Sequence, residues 1–169
     1  MSFLPGAASE PRRIAVGLGS NLGDRAAYLR LAAARLRAVL DRLVVSPFLE
    51  TEPEHGVDQP RYLNAAVVGF SAAAPDALLH RLLAIEREAG RNRPYPQAPR
   101  TLDVDLILAG SLVLQRPGIE VPHPRFRSRR FVLEPLAAVA PDLVDPVSGR
   151  TVRELLAHLG HAGGRAGGA

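Results

Sequence analysis

Two aspartates stand two positions apart inside an otherwise apolar run. The run is RTLDVDLIL, residues 100–108, and the acids are Asp103 and Asp105. Side chains alternate along a strand, so both carboxylates are expected on one face, with Cα atoms roughly 6.5 Å apart. Such a pair can bind one or two divalent cations, whose charge would offset the repulsion between the acids. The alternative is an antiparallel strand that turns its polar face to water.

Arginines flank this acidic pair along the chain. Three precede it and four follow His123, namely Arg91, Arg93, Arg100, Arg125, Arg127, Arg129 and Arg130. Guanidinium groups beside metal-binding carboxylates suit the binding of a polyphosphate, because they stabilise charge that spreads over its oxygens during transfer. Surface arginines paired with acids would give the same spacing, and exposed pairs of that kind contribute only about 0–1 kcal/mol each. The spacing leaves both interpretations open.

Two further segments could contact a ligand. GLGSNLGDR, residues 17–25, predicts a turn between a strand and a helix, where backbone N–H groups often bind anions. It lacks the ending of a P-loop and the third glycine of a dinucleotide fingerprint, so a simple turn is the alternative. In YLN, Tyr62 and Asn64 share one side of a strand and could offer a ring face and an amide to a flat heterocycle.

Composition restricts the possible functions. A chain of 169 residues with 47% hydrophobic content predicts one domain. The absence of cysteine excludes disulfides, thiolate metal sites and thiol nucleophiles, which favours hard cations such as Mg²⁺. No long apolar span and no secretory signal are present, so we expect a cytoplasmic protein with no membrane partner. All 21 basic residues are arginine, which suits an anionic ligand, although a GC-rich genome would give the same composition.

Strand and helix patterns supply the elements that would position these residues. Strands are predicted at 13–19, 43–51, 62–72 and 101–110, a short return strand within 111–130, and helices at 24–40, 75–90, 130–141 and 151–160. Asp24 and Gly90 are expected to cap the first two helices, and Thr151 with Glu154 forms a capping box. The order βαββαβ predicts a ferredoxin-like α+β sandwich, with an antiparallel sheet, helices packed on one face and the opposite face open to a ligand. We predict a single domain over 13–160, with flexible tails at 1–12 and 161–169.

Five segments, taken in order, closely resemble those of the 6-hydroxymethyl-7,8-dihydropterin pyrophosphokinases of folate biosynthesis. They are GLGSNLGDR, TEP…DQPRYLNAAV, EREAGR, PRTLDVDLIL and VPHPRFRSRRFVLEPL, and the similarity covers about residues 14–146. The resemblance implies a ferredoxin-like fold and an ATP-dependent enzyme that transfers pyrophosphate from ATP to the hydroxymethyl group of a reduced pterin, releasing AMP. It also implies two Mg²⁺ ions, ATP as co-substrate, and a monomer whose partners are small molecules and not nucleic acid.

The resemblance assigns roles to individual residues. It implies that Asp103 and Asp105 bind metal, and that these two act in catalysis with Arg91 and Arg100. The implied nucleotide-binding residues are Glu86, Arg91, Arg93, Arg100, His123 and Arg129. The implied pterin-binding residues are Tyr62 and Phe131, which would sandwich the ring, and Thr51 and Asn64, which would hydrogen-bond its edge.

The chain departs from the family pattern in two loops. Gln97 stands where relatives usually carry Trp or Phe, and the loop 91–100 is one residue shorter, so Tyr95 is a candidate to cover the site. In TEPEHGVDQ the usual glycine arrives one residue later, at Gly56, and Glu54 occupies a commonly apolar position. We expect backbone contacts to the pterin to differ there.

Two functions from other classes remain to be compared with the enzyme. Sheet aromatics, arginines and a pI near 10.5 would suit a ferredoxin-like module that binds single-stranded RNA. The aromatic RNP1 signature of such modules is missing from the sequence, and two acids on a central strand would repel phosphate in the absence of a metal. The same fold also serves regulatory modules that bind a small ligand without chemistry.

Overall fold

The main sheet has five strands and matches the predicted fold class. The computed structural model describes residues 9–54, 58–90 and 99–163, with side chains through residue 160. The strands are β1 (Arg12–Ser20), β2 (Asp41–Val45), β3 (Leu49–Thr51), β4 (Tyr62–Ser71) and β5 (Asp103–Ala109). Their order is β2-β4-β1-β5, β3 also pairs with β4, and every pairing is antiparallel. This is the strand order of a ferredoxin-like sandwich, so the α+β prediction is confirmed.

Four helices and a hairpin complete the described structure. The helices are α1 (Arg25–Leu36), α2 (Pro75–Glu88), α3 (Arg130–Val139) and α4 (Val152–Gly163), and the hairpin pairs β6 (Leu114–Arg116) with β7 (Ile119–Val121). The predicted caps are present: Asp24 accepts the N–H of Ala27 at 3.1 Å, Gly90 has φ of 72°, and Thr151 accepts the N–H of Glu154 at 3.1 Å. No helix in the described ranges is both long and apolar enough to span a bilayer.

Two predicted boundaries need correction. Helix α1 ends at Leu36 and not at residue 40, because the chain turns there while Leu40 still packs, 2% exposed, into the same core. The strand predicted at 43–51 is two strands, since Pro47 has no N–H for the ladder. At the break, Ser46 bonds Ala66 through its backbone N–H and its Oγ, both at 2.8 Å. The segments predicted as tails lie mostly outside the described residues; β1 begins at Arg12 and α4 continues to Gly163.

Both faces of the sheet are covered by helices, which corrects the prediction of an open face. Helices α1 and α2 pack on one face around Val16, Leu29 and Leu82. Helices α3 and α4 pack on the other face, where Leu136 and Val152 join a second apolar cluster. Helices α3 and α4 each present an apolar face of their own, and burying it against the sheet is favourable. The ligand-accessible part of the second face is therefore restricted to the end that α3 leaves uncovered.

Candidate active site

The pocket lies on the second face, where the side chains of three central strands change from apolar to small or polar. Asp103 and Asp105 are paired across β1 with Gly19 and Gly17, and Gly19 is also paired with Asn64. A Cβ at Gly19 would lie 3.1 Å from Oδ1 of Asn64, which is tighter than an ordinary contact. Glycine in β1 thus leaves room between the acids and the amide. The pocket forms where the cover of α3 ends.

The two aspartates point into this pocket, as the alternation predicted. Val104 and Leu106, between and beyond them, lie in the core under α1 and α2. Asp103 is buried at 8% exposure, and Asp105 is half-buried. Helix α2 fixes the main chain between the two acids through Glu86. The Oε1 atom of this buried side chain accepts the N–H of Val104 at 2.8 Å. Glu86 therefore contacts the strand that carries the carboxylates.

Arg100 stands beside the acidic pair. Its Nη1 donates to Oδ2 of Asp103 at 2.8 Å. Burial lowers the pKa of Arg100, but the charge and the hydrogen bond of Asp103 outweigh burial, so the pKa lies above its usual value. Its buried Nε has no hydrogen-bond partner among the described residues. Arg100 is a fixed cation in the pocket with donor capacity left for a ligand.

The four residues predicted to contact the pterin lie together. Thr51, Tyr62, Asn64 and Phe131 all line the pocket that holds the aspartates. Asn64 donates from Nδ2 to Oγ1 of Thr51 at 2.6 Å, which orients the amide. The guanidinium of Arg129 lies 5.4 Å from the centroid of the Phe131 ring. An aromatic pair and a fixed amide thus line the same pocket as the carboxylates.

A second groove adjoins the pocket and contains His123. Its lining residues include Asp105, Leu106, Arg116, Ile119, Glu120 and His123. Nδ1 of His123 accepts the N–H of Arg125 at 3.2 Å, so in the neutral ring Nε2 carries the proton. Burial, with the charges of Arg129 and Arg125, lowers the pKa of His123 to about 4. The imidazole is neutral near pH 7. Asp105 lines both the groove and the pocket.

Three of the five described arginines that flank the acidic pair line the pocket. Arg100, Arg125 and Arg129 line the pocket, and Nε of Arg129 lies 3.3 Å from Oε1 of Glu54. Arg127 instead binds Asp145, and Arg130 lies 3.9 Å from Glu134. For these two arginines the structure matches the alternative that the spacing left open, in which arginines pair with nearby acids. The predictions for Arg91, Arg93, Tyr95, Gln97 and Gly56 fall outside the described residues.

Two features of this region were not predicted from the sequence. The groove wall formed by Arg116, Ile119 and Glu120 was treated only as a return strand and loop. Asn21 was counted as part of a turn, yet it is 1% exposed and bonds residues on two other loops. Asn21 directly follows a strand that was expected to be buried, and a buried amide needs hydrogen-bond partners. That position was the available signal for its role.

Comparison with known proteins agrees with this geometry. The family described as 7,8-dihydro-6-hydroxymethylpterin-pyrophosphokinase matches residues 15–141. A relative from Pseudomonas aeruginosa PAO1 is 43% identical over 148 residues, covering 86% of this chain and 91% of its own length. A relative from Synechocystis is 42% identical over 143 residues, covering 83% and 73%. Both are named 2-amino-4-hydroxy-6-hydroxymethyldihydropteridine pyrophosphokinase.

Solved structures match the fold at low identity. A Plasmodium falciparum HPPK-DHPS structure aligns with TM-score 0.70 and 14% identity, over 90% of this chain and 46% of that one. This chain thus spans less than half of that solved chain. The RNA-binding alternative finds no support in these matches. The chain belongs to the 7,8-dihydro-6-hydroxymethylpterin-pyrophosphokinase family and is a pyrophosphokinase of folate synthesis.

Proposed function

We propose that this chain transfers the pyrophosphoryl group of ATP to the hydroxymethyl group of 6-hydroxymethyl-7,8-dihydropterin, giving AMP and the pterin diphosphate. The observation that carries the proposal is the position of Asp105, which lines both the aromatic pocket and the His123 groove. One carboxylate therefore lies between a site for a flat ring and a second site beside it. Group transfer needs the two substrates to meet at such a boundary.

The reduced pterin binds in the first pocket. Its ring stacks between Tyr62 and Phe131, because both side chains line this cavity and aromatic faces favour stacking. The edge of the ring hydrogen-bonds to the Thr51 and Asn64 pair, whose mutual bond of 2.6 Å fixes the amide. This orientation places the hydroxymethyl group toward the aspartates.

ATP binds from the groove side. The neutral His123 offers Nε2–H as a donor, and Arg129 supplies positive charge at the boundary with the pocket. A neutral donor suits a site already surrounded by arginines, since it adds a hydrogen bond without adding repulsion. Arg91 and Arg93 remain predicted nucleotide contacts. We infer that Glu86 supports the nucleotide site indirectly, through its bond to Val104.

The acidic pair fits Mg²⁺. No group of three or more potential ligands occurs among the described residues, so Asp103 and Asp105 are the chain's own contribution there. Mg²⁺ is commonly held by one or two carboxylates together with substrate phosphates, and both donors here are hard oxygens. When bound by Asp103 and Asp105, the two proposed ions would supply positive charge that neutralises the phosphate oxygens.

Arg100 is the proposed catalytic cation. A phosphate oxygen would satisfy its buried Nε, which has no acceptor within the described part of the chain. The oxygen of the pterin hydroxyl attacks the β-phosphorus in line and loses its proton to solvent, while the bond from the β-phosphorus to the oxygen bridging to the α-phosphorus breaks, so charge grows on the oxygen that leaves with AMP. The fixed guanidinium stabilises that charge without rearranging. The monomeric state, the cytoplasmic location and the single domain over 13–160 stay predictions.

The test is AMP production by the full chain with ATP, Mg²⁺ and the reduced pterin. We expect AMP only when all three are present, and we expect Asp103→Asn to abolish Mg²⁺-dependent turnover while the protein remains folded. Asp142→Asn is the control, because that aspartate is exposed and pairs with Arg13 at 2.9 Å. Full activity of Asp103→Asn with Mg²⁺ would contradict the metal site. Salt-sensitive RNA binding without AMP formation would support the rejected alternative.

A further inference from the structure

Asn21 connects two loops that border the active site. Its Nδ2 donates to Oε1 of Gln59 at 3.1 Å and to the carbonyl of Pro60 at 3.3 Å. Its Oδ1 accepts the N–H of Arg100 at 2.8 Å. Its backbone N–H donates to the carbonyl of Arg100 at 3.0 Å. The two loops, which meet at one buried amide, lead into Tyr62 and into β5.

These contacts exclude a direct ligand role for Asn21 itself. A turn of this kind binds an anion through free backbone N–H groups, but the N–H of Asn21 is already used by Arg100. The side chain is 1% exposed, and both its donor nitrogen and its acceptor oxygen are engaged within the chain. Asn21 therefore acts on the site through other residues and not by touching a substrate.

The bonds to Arg100 bear directly on catalysis. Asn21 holds the main chain of Arg100 at both its N–H and its carbonyl, while Asp103 holds the side chain. A catalytic group must be held within about 0.5 Å of its productive position. A misplacement of about 1 Å can cost on the order of 10²-fold in rate. The position of the Arg100 guanidinium thus depends on an amide 79 residues away in sequence.

We propose that Asn21 is a positioning residue for pyrophosphoryl transfer. It fixes Arg100 against the acidic pair and ties that arrangement to the loop that leads into Tyr62. The pterin pocket and the catalytic cation keep one relative geometry because a single side chain bonds both. This inference rests on the proposed function and adds a residue to its machinery.

The first experiment compares Asn21→Ala with Asn21→Asp. Alanine removes both sets of side-chain bonds, and we expect kcat to fall about 10- to 100-fold while KM for ATP changes less than about threefold. Aspartate keeps an acceptor for the N–H of Arg100 but cannot donate to Gln59 and Pro60. We therefore expect Asn21→Asp to retain more of kcat than Asn21→Ala and to raise KM for the pterin.

Ser20→Ala is the matched control. Ser20 adjoins Asn21, is fully buried, and its Oγ has no hydrogen-bond partner in the described ranges. Its substitution disturbs the same turn without removing a bond to Arg100, so kcat is expected to stay within about twofold of the wild type. A loss in this variant equal to that in Asn21→Ala would overturn the proposal, because any change in the turn would then suffice.

A double substitution separates positioning from a general structural effect. If Asn21 acts through Arg100, Asn21→Ala should not slow an enzyme that already carries Arg100→Ala. Losses that multiply in the double variant would overturn the proposal. If Asn21→Ala does not fold, Asn21→Asp decides, and wild-type values of both kcat and pterin KM would then refute it. A wild-type chain that forms no AMP refutes the proposed function itself, which is a separate outcome.

Discussion

Two arginine–aspartate pairs in this protein are built differently. Arg127 binds the fully buried Asp145 through Nε at 2.5 Å and Nη2 at 2.9 Å. Asp145 also accepts the hydroxyl of Ser148 at 2.6 Å and the N–H of Val147 at 3.0 Å. In the pocket, Arg100 binds Asp103 through Nη1 alone at 2.8 Å, and its buried Nε lacks an acceptor in the described part of the chain.

The difference separates a structural pair from one that we propose to be catalytic. Burial raises the pKa of Asp145, but hydrogen bonds from Arg127, Ser148 and Val147 outweigh burial and hold that pKa far below its ordinary value. That carboxylate is satisfied within the chain, so it stabilises the fold. The pair in the pocket leaves a buried donor of Arg100 without a partner among the described residues, and we propose that this pair serves the reaction. Residue type alone does not distinguish the two.

The largest effect is expected from removing the arginine in the pocket. Arg100→Ala should lower kcat about 10²- to 10³-fold, because loss of one preorganised donor to developing charge has that size. KM for ATP and for the pterin should change much less. Steady-state kinetics with both substrates measures this split, and thermal unfolding confirms that the variant is folded. Equal losses in kcat and in substrate affinity would contradict a role specific to the transition state.

The opposite pattern is expected at the structural pair. Arg127→Ala leaves the carboxylate of Asp145 buried without its cation, which should lower the free energy of unfolding by about 3 kcal/mol. The kcat of the folded fraction should stay within about threefold, since Arg127 does not line the pocket. Urea unfolding and kinetics test this together. The control is Arg13→Ala, which breaks an exposed pair with Asp142 and should cost about 0–1 kcal/mol.

One outcome of the Arg127→Ala experiment would contradict the division between the two pairs. If Arg127→Ala lowered kcat as much as Arg100→Ala while the free energy of unfolding stayed unchanged, the proposed division between the pairs would be wrong.

At His123 the neighbouring arginines lie beside an imidazole and not beside a carboxylate, so they lower the pKa of their neighbour's conjugate acid by repulsion. Its pKa is about 4 in the fold and near 6.5 when the chain is unfolded. Between these values the unfolded chain binds more protons, so stability present above pH 6.5 should be lost as the pH falls toward 4. The loss should be roughly 3 kcal/mol, at 1.36 kcal/mol per pKa unit between about 4 and 6.5. Urea unfolding at several pH values measures the free energy of unfolding, which should rise with pH between about 4 and 6.5. The slope of that rise should be smaller in His123→Asn.

The smallest effect concerns a third pair, at the rim of the pocket. Glu54 contacts Arg129 at 3.3 Å, and the two side chains are 42% and 18% exposed. Because this acid competes with phosphate for the arginine, Glu54→Gln should tighten ATP binding by about two- to fivefold, in the range of a partly exposed pair. Titration calorimetry with ATP measures it. Glu52→Gln, which removes the carboxylate that Arg61 contacts at 2.9 Å on the same loop, is the charge control. Weaker ATP binding in Glu54→Gln would show that Glu54 assists the nucleotide.

The local features of the fold could be predicted from the sequence. Alternation placed Asp103 and Asp105 on one face, and the caps at Asp24 and Thr151 follow from short-range hydrogen bonds. Each of these depends on residues within a few positions of one another. The resemblance to a known family then supplied the roles of Tyr62 and Phe131, which the structure places in one pocket.

The cover on the second face could not be predicted in the same way. The register of β1 against β5 shifts next to Val16, which leaves Ile107 without a partner in the ladder. After that bulge Ile107 and Leu108 both pack under α3 and α4, so strict alternation ends there. A bulge depends on how two distant strands pair, and the residues of one strand do not reveal it.

The sequence by itself determined which residue types are available: an acidic pair on a strand, aromatic residues, and arginines on both sides. Only the tertiary structure decided that Arg127 pairs with Asp145, that Nε of Arg100 has no partner within the described ranges, and that Asn21 bonds the main chain of Arg100. The reason is physical. Burial and hydrogen-bond partners of a charged group depend on residues that are distant along the chain and are brought together only when the sheet and its helices pack.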